Sequence, residues 1–132
     1  MKALFALSLT LLLAGSAMIV SAQEHTKDSL DTVKKALAAK KAVLLDVREK
    51  SEWDAGHLKD ARLLPLSELQ DGLPKNLASI LGKDKAVYLH CGSGKRVLKA
   101  AEILRKEGYD VRPLKDGYSS LLKSGFPKAE EK

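Results

Sequence analysis

Cysteine is almost missing from this chain: Cys91 is the single one in 132 residues. One thiol excludes an internal disulfide framework, a CxxC redox pair and a cysteine-rich zinc site. Histidine is sparse too, and His25, His57 and His90 lie too far apart in sequence to suggest a metal site. Neither metal nor organic cofactor is expected. Aromatic residues make up 5% of the chain and do not interleave with runs of Lys or Arg, which argues against a nucleic-acid partner. There is no internal repeat and no low-complexity segment. What is present is ordinary globular material of one-domain size, 45% hydrophobic and 30% charged, with a net charge of +6. A mild positive balance suits small anionic ligands, and equally a solvated lysine-rich surface.

The one long uncharged run comes first. After Met1 and Lys2, residues Ala3–Ala22 carry no charge, with Leu4, Leu7, Leu9 and Leu11–Leu13 as an apolar core and Val20-Ser21-Ala22 as a small-residue end. A basic start, a short apolar run and an A-x-A-like end predict a secretory signal peptide over 1–22, cleaved after Ala22. No cysteine stands near Gly15 or Ala22 to carry a lipid anchor. An uncleaved span is the competing reading, weakened by Gly15, Ser16 and Ser21. Residues 23–132 are then a single exported domain, periplasmic in a Gram-negative cell, without stable membrane insertion and expected to be a monomer.

Periodicity predicts strands alternating with helices. Residues 23–29 read as a flexible polar leader, which includes His25. Residues 29–40 form a helix with Leu30, Val33 and Leu37 on one face. The apolar run 42–47 is a strand buried on both faces. Residues 51–55 form a helical turn ended by Gly56, and 62–66 a short strand broken at Pro65. Brief helices follow at 67–70 and 74–81, then a strand at 85–90. After the loop 91–96 comes an amphipathic helix with Val97, Ala100, Ala101 and Leu104 in step, capped by Gly108. A strand at 109–113, a helix at 116–123 and a loose charged tail after Pro127 complete the chain. This order predicts an α/β fold, a mostly parallel central sheet with helices on both faces.

Cys91 falls where such a sheet binds ligands, just past the carboxyl end of a strand. Gly92 and Gly94 let backbone N–H groups converge. The helix that follows adds its unpaired N–H groups and positive dipole end. Lys95 and Arg96 add two charges. Together these favour negative charge on sulfur, and so nucleophilic attack by Cys91 with anions cradled in the loop. No resolving thiol is available for disulfide exchange. His90 is adjacent in sequence, but successive strand residues point to opposite faces, so it is badly placed as a base. Sulfur transfer through a persulfide and phosphoryl transfer through a phosphocysteine both stay open.

Leu45-Asp46-Val47-Arg48-Glu49, Glu52-Trp53-Asp54-Ala55-Gly56-His57-Leu58, His90-Cys91-Gly92-Ser93-Gly94-Lys95-Arg96, Asp116-Gly117-Tyr118 and Gly125-Phe126-Pro127 together resemble the rhodanese (thiosulfate sulfurtransferase) homology domain. The resemblance covers nearly all of residues 29–127 and is strongest to small single-domain periplasmic members. It implies that Cys91 takes the sulfane sulfur of a small anionic donor such as thiosulfate, releases sulfite, and passes the sulfur to cyanide, a thiol or a protein thiol. It implies substrate binding by Gly92, Ser93, Gly94, Lys95 and Arg96, with support from Asp46 and Arg48. The C-x4-R loop has the length of the sulfurtransferase members, whereas related phosphatases use C-x5-R. A partner-dedicated sulfur carrier without catalysis, and a cysteine-dependent phosphatase, are the alternatives. The chain departs from the family's habit at Gly92, where many members carry a polar residue, which bears on thiosulfate binding. It departs also at Asp60-Ala61, Asp116 and Leu122, which read as structural.

Each residue also has a plainer reading. Cys91 could be a buried inert thiol. Cations are unfavourable at a helix N-terminus, so Arg96 there calls for an anion beside it. Lys95 could simply be solvated. Asp46 could cap the next turn or pair with Arg48. Trp53 reads as core packing, and His57 as a structural hydrogen bonder at the Gly-His turn. An exported thiolate at the surface would be open to oxidation, and resting as a persulfide would protect it.

Overall fold

A computed structural model describes residues 24–131; the proposed signal peptide lies outside them. Four strands, β1 (Ala42–Asp46), β2 (Ala61–Leu63), β3 (Ala86–His90) and β4 (Asp110–Pro113), form one sheet in the order β2-β1-β3-β4. All three pairings are parallel. Six helices connect or flank them: α1 (Leu30–Ala38), α2 (Lys50–Ala55), α3 (Leu66–Asp71), α4 (Leu77–Leu81), α5 (Arg96–Lys106) and α6 (Tyr118–Lys123).

The central strands β1 and β3 are apolar on both faces because each face has its own helical layer. Val43, Leu45, Val87, Leu89 and Val111 pack with Leu66, Leu69, Leu77, Leu81, Val97, Ala101 and Leu104 from α3, α4 and α5. The alternate residues Ala42, Leu44 and Tyr88 face Val33 of α1, Leu121 of α6 and Phe126. The period-2 alternation of strand side chains thus divides one sheet between two cores. Burial of this size, at about 25 cal/mol per Å² of apolar area, is the main stabilising contribution. The first helix begins one residue later than its periodicity suggests, because Ser29 serves as its N-cap, its Oγ accepting the Thr32 N–H at 3.1 Å. Among the described residues no helix is long and apolar enough to cross a membrane.

Element types match the sequence pattern, with small differences at their ends. β2 ends at Leu63 because Pro65, lacking an N–H, instead starts α3. α4 begins at Leu77 rather than Pro74.

Two expectations are corrected. The polar leader is not loose. From His25 onward it lies against the domain, with the Thr26 N–H donating to the Pro113 carbonyl at 2.7 Å. Tyr88 Oη donates to Asp28 at 2.6 Å and Arg112 pairs with the same carboxylate at 2.9 Å. Polarity here supplies partners for the β4 edge and for a buried phenol, rather than solvation. The charged tail is held as well. Lys59 N–H donates to the Pro127 carbonyl and Ala129 N–H to the His57 carbonyl, with Leu58 and Lys128 forming an antiparallel bridge. Backbone pairing of this kind ignores side-chain charge, so composition does not reveal it.

Candidate active site

Cys91 directly follows the central strand β3 at the carboxyl edge of the sheet, and α5 begins five residues later. The loop between them closes around the sulfur. Gly94 adopts φ +83°, a left-handed conformation open to glycine, and its N–H donates to Cys91 Sγ at 3.1 Å. The chain from Lys115 to Tyr118 presses on the loop from outside. A Cβ on Gly94 would meet the Lys115 carbonyl oxygen at 2.5 Å, and a Cβ on Gly117 would meet the Gly92 carbonyl oxygen at 1.9 Å. The Tyr118 N–H donates to the Cys91 carbonyl at 2.9 Å. This packing leaves Cys91 0% exposed. The expected surface thiolate is therefore corrected: the residue is buried beneath the loop and belongs to the core cluster that includes Leu89 and Val97.

The loop residues divide by exposure. Gly92, Ser93 and Lys95 are exposed, and Gly94 is buried. Lys95 stands at the N-cap of α5 with its side chain in solvent. Arg96 is half-buried, and the anion its position calls for is Glu52. Two hydrogen bonds of 2.6 and 2.9 Å join the guanidinium to both carboxylate oxygens. Glu52 also accepts the Glu49 N–H at the start of α2, at 3.2 Å. Hydrogen bonding from Arg96, against a smaller opposing effect of burial, holds the Glu52 carboxyl down to about 2. The same bond raises the Arg96 value. In this arrangement the loop arginine is already paired, so its charge is shared between Glu52 and any anion in the loop.

Asp46 and Arg48 build the floor beneath. The Asp46 carboxylate accepts the Arg48 backbone N–H at 3.0 Å and its guanidinium at 2.8–3.1 Å. Asp46 is 0% and Arg48 4% exposed. Turn cap and ion pair, offered as alternatives by the sequence, are both present. Arg48 also donates to the Gly56 carbonyl at 2.8 Å and lies 4.2 Å over the Tyr118 ring. A continuous set of contacts therefore runs from Asp46 through Arg48 and Tyr118 to the Cys91 carbonyl.

The His90 side chain lies on the sheet face opposite that of Cys91, as strand alternation requires, with its Nδ1 3.4 Å from the Cys91 carbonyl oxygen. Its Nε2 lies 3.5 Å from Asp46 Oδ2 and has no hydrogen-bond partner. Burial pushes its pKa below the usual histidine value, outweighing the pull of Asp46. The ring is therefore neutral, and this contact is not an ion pair. Trp53 is half-buried and lies outside both cores, which corrects the core-packing reading. Its ring stacks on His57 at 3.6 Å between centroids. His57 Nδ1 donates to the Trp53 carbonyl at 3.0 Å, the structural role its turn suggests. His25, which the sequence leaves in the leader, reaches the loop itself: its Nε2 lies 2.6 Å from the Gly94 carbonyl. The position of Arg96 reads as a call for a bound anion and does not signal Glu52. Nothing in the sequence signals His25, 69 positions away.

Chemically, the arrangement presents one sulfur nucleophile under a loop whose N–H and guanidinium groups suit an anion. Among the described residues no cluster of His, Cys, Asp or Glu could hold a metal ion.

Comparison with known proteins agrees with this geometry. The model of the rhodanese-like domain family matches residues 29–124. The uncharacterized protein YqhL of Bacillus subtilis is 41% identical over 80 residues, covering 60% of each chain. This chain therefore spans three-fifths of that relative's length. Human thiosulfate:glutathione sulfurtransferase is 32% identical over 90 residues, covering 61% of this chain and 78% of the human one. The solved structure of the human single-domain sulfurtransferase TSTD1 superposes with a TM-score of 0.62 at 29% identity. It covers 73% of this chain and 94% of that one.

Proposed function

Because the chain belongs to the rhodanese-like domain family, we propose that it is a sulfurtransferase moving sulfane sulfur from thiosulfate, or a similar donor, to cyanide or another thiophilic acceptor. The observation that carries this reading is Cys91 Sγ at the floor of the loop, accepting the Gly94 N–H. The Cys91 thiolate attacks the outer sulfur of thiosulfate. An S–S bond forms to Sγ while the donor's own S–S bond breaks, and its electron pair leaves with sulfite. The persulfide keeps one negative charge, which the Gly94 N–H stabilises, and Arg96 orients the dianionic donor. Cyanide or a thiolate then attacks the terminal sulfur, and the electron pair of the breaking bond returns to Sγ. Neither half-reaction needs an external oxidant or reductant, and the residues used are all on this chain.

The test is the intact mass of the protein before and after thiosulfate, then after cyanide, with Cys91→Ser alongside. The expected result is a gain of one sulfur atom on the wild-type chain, stripped by cyanide as thiocyanate, and no gain for Cys91→Ser. A reduced wild-type thiol that gains nothing would overturn thiosulfate as donor. We read residues 1–22 as a cleaved signal peptide that exports the domain to the periplasm. The uncharged run and small-residue end support this. A mass from exported protein beginning at Gln23 is the expected outcome, and one that includes Met1 would overturn it.

A further inference from the structure

We propose that His25 is a positioning residue for the sulfur loop, holding Gly94 from outside so that its N–H stays directed at Cys91 Sγ. A carbonyl oxygen can only accept, so the His25 ring donates its Nε2–H to the Gly94 carbonyl across 2.6 Å. On the other side of the same residue, the Gly94 N–H donates to Sγ at 3.1 Å. Gly94 is thus held at both its amide and its carbonyl. That matters because glycine at φ +83° has little conformational preference of its own. A rotation of the peptide after Gly94 would let the residue drift and turn its N–H away from the sulfur.

His25 can act this way because its own segment is fixed independently. Thr26 N–H is bonded to Pro113 at the end of β4, and Asp28 is bonded to Tyr88 Oη and to Arg112. The Tyr88 hydrogen bond, against an opposing effect of burial and with help from Arg112, lowers the Asp28 carboxyl below its usual value. Residues 25–28 therefore form a strap tied to the sheet at two points, with the imidazole as its free end on the loop. The sulfur transfer set out above gives this strap its use. Sγ gains an atom when the persulfide forms, and an N–H held in place needs no reorganisation as charge moves outward.

The test compares His25→Ala with His25→Gln, whose amide can donate to the same carbonyl. Two readouts are taken, hydrogen exchange of the Gly94 amide in the resting protein and turnover with thiosulfate and cyanide. In His25→Ala, Gly94 exchange is expected to rise about tenfold, the scale of one lost hydrogen bond. The amides of Val87 and Leu89 in β3 should keep wild-type protection. kcat should fall by a similar factor with little change in KM, and His25→Gln should recover both. Unchanged Gly94 exchange in His25→Ala would overturn the proposal. So would faster exchange with wild-type kcat, or a loss that His25→Gln does not recover. The exchange readout needs no donor, so it decides the strap's hold on Gly94 even if thiosulfate proves the wrong substrate.

Discussion

Glu52 and Arg96 come from α2 and the start of α5, 44 positions apart, and meet in a two-pronged ion pair at the rim of the Cys91 loop. Their side chains remain 38% and 33% exposed. The pair therefore competes with an incoming anion for the same guanidinium. Replacing Glu52 with Gln should free Arg96 and lower KM for thiosulfate by roughly twofold to fivefold, the scale of a half-exposed ion pair. An uncharged sulfur donor should show no such gain. Steady-state kinetics with both donors decide the matter, and a higher KM for thiosulfate would mean that Glu52 serves the loop's shape instead.

The same pair sets a pH dependence. Glu52 has its folded value depressed to about 2 from an ordinary 4.5. The stability contributed by its ionised form is fully present above 4.5 and is lost as pH falls through about 2. A carboxyl-carbon NMR titration should find Glu52 still ionised at pH 3, where solvent-exposed glutamates are protonated. Arg96→Gln should return its midpoint toward 4.5. An unshifted midpoint in the wild type would refute the ion pair.

Asp46 and Arg48 form a different kind of pair, buried on all sides. Asp46→Asn leaves the Arg48 charge without its counterion and should cost about 3–5 kcal/mol. Joint replacement by Leu and Met removes both charges and should recover a good part of that loss. Urea unfolding of the wild type and the two variants measures it. A single-variant cost under about 1 kcal/mol would mean that Arg48 finds water when Asp46 is neutral.

Two glycines near the loop should respond differently to alanine. At Gly117 the new methyl would lie 1.9 Å from the Gly92 carbonyl oxygen, so backbone must move. We expect a loss of about 1–3 kcal/mol in unfolding free energy and slower sulfur loading. At Gly92 the nearest atom is the flexible Arg96 Nη2 at 3.1 Å, which can yield, so Gly92→Ala should stay within about 0.5 kcal/mol of wild type. Equal losses at both positions would contradict this packing.

The sheet and the position of Cys91 were legible in the sequence because both rest on local patterns. Apolar runs such as 42–47 read as doubly buried strands, and 97–104 kept a clean helical period. The loop, too, announced itself through glycines and cations packed into six positions. What stayed hidden rests on pairings without local trace. His25 meets Gly94 only because β4 brings Pro113 to the strap. The covering of Cys91 depends on residues 115–118 folding back over the loop. Trp53 looked like a core residue because large aromatics usually are, yet its partner is the imidazole four residues on. Glu52 belongs with the hidden pairings: the cation at a helix start read as a call for a bound anion, and the carboxylate that meets it comes from 44 positions away.

Because Gly117 has no room for a single carbon next to Gly92, the size of the anion ring is dictated by the chain that passes over it. On the side of Lys115–Tyr118 the loop between Cys91 and Arg96 has no space to expand, whereas Gly92, Ser93 and Lys95 face solvent. Widening on the packed side therefore involves two segments that are some twenty-five positions apart. The segment over the loop thus acts as a gauge on its bore.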